Sequence, residues 1–354
     1  MRKVLVTGSL GYIGSVLMPY LKKHGYDCTG LDTGFFEDCT LLPVEEEHTV
    51  FKDVRDINKD DLKDTDVVVH LAGIANDPLK TLQPEKVYEP VRKYTYQLAR
   101  LCKGLGVRFI FASSCSIYGA APNEISDEKS KPNPVTPYSL NKLQIEEDLG
   151  ELSDREFRPV ILRFATVFGL SPRMRFDIVV NMFAGMAITS GKIVMNSTGQ
   201  VWRPFVHIED ACKAIRCGID SESNLEYPLI LNVGDTGQNF QIIQIAQMVK
   251  DEFPGSEITF LSGKDELIED RKVTDGADKR DYNISFEKIK ETFKGFSCDW
   301  TVKKGIQDMR DGFGKLGLTG ENFKNINFYR LQKMEYLLQN GYLADDLTWK
   351  RGRK

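Results

Sequence analysis

Val4-Leu5-Val6-Thr7-Gly8-Ser9-Leu10-Gly11-Tyr12-Ile13-Gly14 decides the fold. A short apolar run comes first, then three glycines at three-residue spacing, then an amphipathic run from Ser15 to Lys23. This order predicts a buried strand, a tight turn and a helix N-terminus. Such a unit turns unpaired backbone N–H groups and the positive end of the helix dipole towards an anion. Gly8 allows the turn, Gly11 lets a pyrophosphate approach the backbone, and Gly14 lets the helix pack closely on the strand. The spacing is G-x-x-G-x-x-G, not the G-x-G-x-x-G of the general dinucleotide fingerprint, so the two agree in mechanism only.

A second strand-like run, Asp27 to Leu31, leads into Asp32, eighteen residues past Gly14. A carboxylate there accepts both hydroxyls of an adenosine ribose and repels a 2′-phosphate, which selects NAD over NADP. Strand-like runs at Lys3–Thr7, Cys28–Leu31, Thr49–Lys52, Val67–Leu71, Arg108–Ala112 and Val160–Arg163 alternate with helical patterns. The helical stretches are Gly14–His24, Glu85–Leu105 and Tyr138–Leu152, with Pro137 suited to the first turn of the last. The alternation predicts an α/β fold, a Rossmann-type doubly wound parallel sheet with helices on both faces.

Beyond Arg163 the pattern loosens into a smaller C-terminal lobe. A helix is expected at Ile178–Ala187, a strand-loop-strand unit around Lys192–Pro204, and a strand and helix over Val206–Ile219. A buried strand at Leu229–Val233 and helices at Phe240–Phe253 and Phe286–Phe293 follow. The expected division is 1–170 as the dinucleotide domain, with 206–237 returning to it, 171–318 as a substrate-binding lobe, and 319–354 as a helical tail. The tail is rich in Leu and aromatics such as Phe328, Leu331 and Leu337, a composition for packing on the domain or on a second subunit.

Composition narrows the function classes. The chain has 354 residues, 41% hydrophobic and 28% charged, as in an ordinary globular protein. A net charge of −4 gives no whole-molecule attraction to nucleic acid or anionic membrane. The basic end Lys350–Lys354 reads as a solvated tail. No apolar run reaches transmembrane length, and the first strand leaves no room for a signal peptide, so a cytoplasmic location is expected. Seven scattered cysteines and four histidines without ligand spacing suggest reduced thiols and no metal site.

Two stretches carry chemistry. Tyr138-Ser139-Leu140-Asn141-Lys142 places a phenol and an ammonium four residues apart on one helical face. The lysine charge, with a nicotinamide cation close by, favours the phenolate, so Tyr138 can act as base or acid on a hydroxyl near neutral pH. Ser113-Ser114-Cys115-Ser116-Ile117-Tyr118-Gly119 follows a strand, at the end where ligands bind in open α/β sheets. A serine there can hydrogen-bond the oxygen that the tyrosine deprotonates.

In this order, TGSLGYIG, Asp32, Asp53-Val54, His70-Leu71-Ala72-Gly73, SSCSIYG and YSLNK resemble the extended short-chain dehydrogenase/reductase family. The resemblance is to its NAD-dependent nucleoside-diphosphate-sugar epimerase/dehydratase branch and covers about residues 1–310. It implies Gly8, Gly11, Tyr12, Ile13 and Gly14 around the NAD pyrophosphate and Asp32 on the adenine ribose. Asp53 and Val54 would lie near the adenine, with Leu71, Ala72 and Gly73 lining the cofactor path. Lys142 would hold the nicotinamide ribose, Tyr138 would be the acid/base and Ser114 would bind the reacting oxygen. In the second lobe, Asn181, Arg203 and Arg280 resemble residues that bind the substrate diphosphate. Arg175, in a run that looks like a sub-branch signature, could face the substrate. His70 reads as a satisfied strand-end histidine.

The departures are informative. Sugar 4,6-dehydratases of the family carry acidic residues directly after the catalytic hydroxyl residue, where this chain has Cys115 and Ser116. The asparagine common in hexose 4-epimerases after the sixth-strand arginine is absent from Arg163-Phe164-Ala165-Thr166. The resemblance thus implies an NAD-dependent 4-epimerase acting on a nucleoside-diphosphate sugar through a transient keto intermediate, with elimination of water disfavoured. A dehydrogenase or reductase stopping at the keto sugar, and a non-catalytic dinucleotide-binding protein, are the alternatives. A homodimer, pairing through the helices near 85–105 and 138–152, is expected from the same resemblance.

Overall fold

The computed structural model describes residues 1–44, 48–75, 83–221, 226–261 and 280–350. Asp278 and Lys279, which precede Arg280, and residues 351–354 of the basic end lie outside them.

A seven-stranded sheet organises the first half. From edge to edge its strands are Leu229–Val233, Val160–Phe164, Arg108–Ser114, Val67–His70, Lys3–Thr7, Asp27–Asp32 and Thr49–Phe51. Every neighbouring pair is parallel. Parallel neighbours require crossovers, and helices supply them on both faces. Alternation along the first strand shows the layering: Val4 and Val6 join the cluster with Leu17, Leu21 and Ile215, while Leu5 joins Leu98, Phe109 and Ile145. Helices Gly14–Lys23 and Ile208–Asp220 therefore cover one face, and Pro84–Leu105 and Pro137–Leu152 the other.

Topology places the site. After Lys3–Thr7 the chain builds outward through Asp27–Asp32 and Thr49–Phe51, then crosses to Val67–His70 on the opposite side. Strand order reverses between Lys3–Thr7 and Val67–His70, which opens a crevice at their C-terminal ends. The glycine turn, Asp32, Leu71–Gly73 and Ser114 all stand along that edge.

The second lobe has its own core, built from helices Val179–Ser190, Ile242–Glu252 and Val302–Leu316 around Phe183, Ile245, Ile306 and Phe313. The two strands expected around Lys192–Pro204 both form, but in separate sheets. Lys192–Met195 pairs with Glu257–Phe260, whereas Trp202–His207 pairs with Thr166–Phe168 and Asn239–Gln241. The helix expected from Phe240 begins at Ile242, because Asn239–Gln241 is spent as a strand. Ala120–Ser126 and Asp281–Ile284 form a parallel pair that no periodicity announced.

Helix Val302–Leu316 lies beyond the helices expected for this lobe. Its signals are present: buried Val302, Ile306, Met309 and Phe313 recur at helical spacing, Thr301 caps the Lys304 N–H, and Gly317 ends it at φ 65°. The tail forms helices Gly320–Lys324 and Arg330–Gln339 and then a turn closed by an antiparallel bridge between Leu343 and Trp349. Met334, Leu337, Leu343 and Leu347 bury themselves against Val87 and Tyr88 of the first half.

Candidate active site

The glycine turn is tight for reasons internal to the protein at two positions. Gly8 lies at φ 77°, and a Cβ there would sit 2.8 Å from the Ala72 nitrogen. At Gly14 a Cβ would lie 2.3 Å from the Gly8 carbonyl oxygen, so the helix can approach only as glycine. Gly11 has no positive φ, and its Cβ would meet only the Gly8 oxygen, at 3.1 Å. Packing asks less of Gly11, which suits a position kept open for a ligand. Among the described residues the N–H groups of Tyr12 and Ile13 meet no acceptor. Two unspent donors at a helix start fit a pyrophosphate.

Asp32 is fixed at the mouth of this turn. Its carboxylate accepts from the Leu10 N–H at 3.0 Å and the Gly34 N–H at 2.7 Å. Asp53 caps the short turn Val54–Asp56 and accepts from the Arg55 N–H, Nε and Nη2, at 2.9, 3.0 and 2.6 Å. Val54 is buried beneath it. Leu71 and Ala72 donate their N–H groups to Thr7, which seats the Leu71–Gly73 loop beside the glycine turn. His70 lies between the Thr7 and Thr95 hydroxyls, at 2.7 and 3.0 Å, and burial pushes it down to about 3, so it stays neutral. That is the satisfied strand-end histidine the sequence suggested.

Helix Pro137–Leu152 delivers the phenol and the amine. Thr136 caps the Ser139 N–H and Pro137 occupies the first turn. Lys142 Nζ donates to the Ala112 carbonyl at 2.7 Å and lies 4.5 Å from the Phe111 ring centre and 5.8 Å from that of Tyr138. Burial pushes the amine down to about 8, with the Glu146 carboxylate acting in the opposite sense. Ser114 ends its strand and accepts from the Ser116 N–H at 3.2 Å.

In the second lobe, Arg203 is buried, donates to the Trp202 carbonyl at 2.7 Å and lies 5.2 Å from the Tyr282 ring centre. Asp281 accepts the Trp202 N–H at 2.8 Å, so the strand that follows Arg280 runs beside Arg203. Arg175 pairs with Asp177 through Nε and Nη2, both at 2.9 Å, and donates to the Ala75 carbonyl. Its charge couples to the phenols of Tyr138 and Tyr12.

Asn181 is not presented to a ligand, contrary to expectation. It is fully buried; its Oδ1 accepts from the Gly169 N–H, and its two amide hydrogens go to the Tyr12 hydroxyl and the Arg175 carbonyl. The Tyr12 hydroxyl in turn donates to the Gly169 carbonyl at 2.7 Å. Asn181 joins the glycine turn to the second lobe, and no donor of its amide is left for a diphosphate.

A family model described as the NAD dependent epimerase/dehydratase family matches residues 4–234. The chain belongs to that family. A putative UDP-glucose 4-epimerase of Methanocaldococcus jannaschii is 26% identical over 267 residues, 70% of this chain and 82% of that protein. The UDP-glucose 4-epimerase of Bacillus subtilis is 23% identical over 344 residues, covering 86% and 94%. Among solved structures, the UDP-glucuronic acid 4-epimerase from Bacillus cereus, in complex with UDP-glucuronic acid and NAD, aligns with a TM-score of 0.72. That alignment is 24% identical and covers 89% of this chain and all of that one. TunA, an NAD-dependent NDP-hexosamine 5,6-dehydratase, aligns at 0.74 with 22% identity, covering 89% and 98%.

This family member also holds a buried polar network behind the site that its sequence did not reveal. Glu146 pairs with Arg163 at 2.6 Å, both side chains about one-twentieth exposed or less. Ser113 donates to Glu146, and Arg163 donates to the Tyr118 hydroxyl, which donates to Asn232. Glu146 stands one turn beyond Lys142, and that i, i+4 spacing was the available signal.

Proposed function

We propose that this protein inverts a hydroxyl-bearing carbon, C4, of a nucleoside-diphosphate sugar, with NAD in the crevice. One observation carries the reading: Lys142 lies under the Tyr138 ring, on a helix beside the strand that ends in Ser114, and that strand end shares the carboxyl edge of the sheet with the glycine turn. When bound, NAD supplies a hydride acceptor that can return the hydride. Tyr138 removes the hydroxyl proton and later gives it back. Lys142, as ammonium, favours the phenolate by its charge and donates to the nicotinamide ribose. Ser114 hydrogen-bonds the oxygen that Tyr138 deprotonates. Arg203, with Arg280 beside it, grips the diphosphate through charge-assisted bonds, and Arg175 faces the sugar near Tyr138. Leu71, Ala72 and Gly73 line the cofactor path, with Asp32, Asp53 and Val54 at the adenosine end.

Inversion fits better than elimination of water. Cys115 is fully buried, donates to the Arg163 carbonyl at 3.1 Å, and burial pushes its thiol well above the ordinary range. Neither it nor Ser116 offers a carboxylate to move a proton from carbon. Inversion involves no net redox, which suits a cofactor that stays bound. The named activities of the relatives recommend UDP-hexoses and UDP-hexuronic acids as first substrates. We further propose a homodimer built on helices Pro84–Leu105 and Pro137–Leu152.

The test is to incubate purified protein, without added cofactor, with a panel of nucleoside-diphosphate hexoses. Product stereochemistry is read by NMR and absorbance near 340 nm is followed in parallel. Inverted sugar without lasting absorbance is the expected result. Accumulating reduced cofactor with a keto sugar would instead make the protein a dehydrogenase. Silence across the panel with NAD bound would favour a binding protein.

A further inference from the structure

The tail reaches each loop at the adenosine end of the crevice. Trp349 Nε1 donates to the Thr33 carbonyl at 2.8 Å, one residue past Asp32, and its rings lie 5.4 Å from Phe35. Arg55, which grips Asp53 through Nε and Nη2, also donates Nη1 to the Asp346 carbonyl at 2.9 Å and Nη2 to the Leu347 carbonyl at 3.3 Å. One guanidinium thus joins the tail to the expected adenine-side carboxylate. At the other end of the tail, Lys333 donates to Asp38 at 2.7 Å, and Arg330 donates to the Arg173 carbonyl at 2.8 Å. Arg173 donates to the carbonyls of Phe36 and Glu37, so these contacts fasten the 33–40 loop at both ends.

Between those anchors the tail is apolar and lies on Val87 and Tyr88. The Tyr88 ring is 6.3 Å from that of Tyr138, which packs against the same cluster. Leu347, at φ 61°, is the sole non-glycine residue at positive φ among the described residues. Its side chain is buried and its carbonyl meets Arg55, so the surroundings hold the backbone in this unfavourable region. Strain of this kind at a contact to a ligand-facing loop points to a role for the contact rather than to an idle terminus.

We propose that residues 326–349 are a strap that forms the outer wall of the adenosine pocket and, through Arg55 and Trp349, sets how long the dinucleotide stays bound. This rests on the proposed function, because it requires NAD in the crevice. Dissociation of the dinucleotide then requires Trp349 to leave Thr33 and the 33–38 loop to move. An enzyme that oxidises and re-reduces its substrate in one visit gains from such retention, since loss of reduced cofactor would strand the keto sugar.

The experiment compares full-length wild type with Trp349→Ala, Trp349→Phe and Arg55→Gln. Each is loaded with fluorescent etheno-NAD and chased with excess NAD. Trp349→Ala and Arg55→Gln are expected to speed dissociation by about tenfold or more, with Trp349→Phe between them and wild type, because contact changes act mainly on off-rates. Off-rates within twofold of wild type in both main variants would overturn the strap while leaving the function standing. A wild-type protein that binds no dinucleotide would overturn both. Hydrogen exchange on wild type gives a readout free of mutation: NAD should protect 342–349 together with 33–38. Unchanged exchange in 342–349 would count against the strap even if a variant fails to fold.

Discussion

Tyr138 and Lys142 are one helical turn apart, and the chemistry proposed here depends on that spacing. Tyr138→Phe keeps the ring against Tyr88 but removes the proton carrier. Turnover should fall by about 10²–10⁴ while NAD binding is retained, as measured by NMR kinetics and etheno-NAD titration. At the same scale, His70 and His207 are both pushed down to about 3, first by burial and second by the nearby charges of Lys142 and Lys304. Unfolded, each would titrate near 6.5. The unfolded state therefore binds more protons below that pH, and stability is lost as pH falls from about 6.5 towards 3, by up to roughly 1.4 kcal/mol per histidine per pH unit. Asp210 works the other way. Burial raises it to about 6 despite two backbone donors, so acid favours its folded form between about 6 and its ordinary value. Urea unfolding at pH 7.5, 6.5 and 5.5 should show a net decline in the midpoint, and a flat profile would remove the neutral-histidine reading.

The Glu146–Arg163 pair joins helix Pro137–Leu152 to strand Val160–Phe164 under the site. Such a pair is costly to break singly and cheap to replace whole. Glu146→Gln should lower stability by about 3–5 kcal/mol, while the double variant Glu146→Leu with Arg163→Met should recover much of it, read by urea denaturation. Legibility in the sequence followed the same division between local and long-range features. Lys3–Thr7, Leu229–Val233 and the site helix were readable because buried parallel strands are continuous apolar runs and Pro137 marks a helix start. Gly8 and Gly14 were readable because the positive φ at Gly8 and the approach of Gly14 to the Gly8 carbonyl are set within one turn of chain, although Gly8 also packs on the distant Ala72 nitrogen. Asn181 misled, since a helix-start asparagine looks the same whether its amide faces a ligand or the Tyr12 hydroxyl. The pairing of Ala120–Ser126 with Asp281–Ile284 joins segments far apart in the chain, and no local periodicity encodes such a partner.

At the scale of the molecule, association is the open property that the surface addresses. Helices Pro84–Leu105 and Pro137–Leu152 lie together on one face of the sheet, with Tyr96 and Leu140 exposed at 36% and 46%. For the proposed homodimer, sedimentation velocity should find twice the chain mass, and Leu140→Glu should shift the protein to the single-chain mass by placing a charge in the proposed interface. A different surface decides behaviour at high concentration. The outermost strand, Thr49–Phe51, leaves Val50 and Phe51 exposed at 39% and 47% at an edge of the sheet, the kind of position on which a neighbouring chain can pair. Its length is the safeguard. After three residues the chain meets Lys52, whose ammonium is held by Asp61 at 2.7 Å, and then bends into the Asp53-capped turn. Salt screens partly exposed ion pairs of this kind. Concentrated stocks should therefore be kept at modest ionic strength, because screening the Lys52–Asp61 pair loosens the bend that keeps this edge strand short.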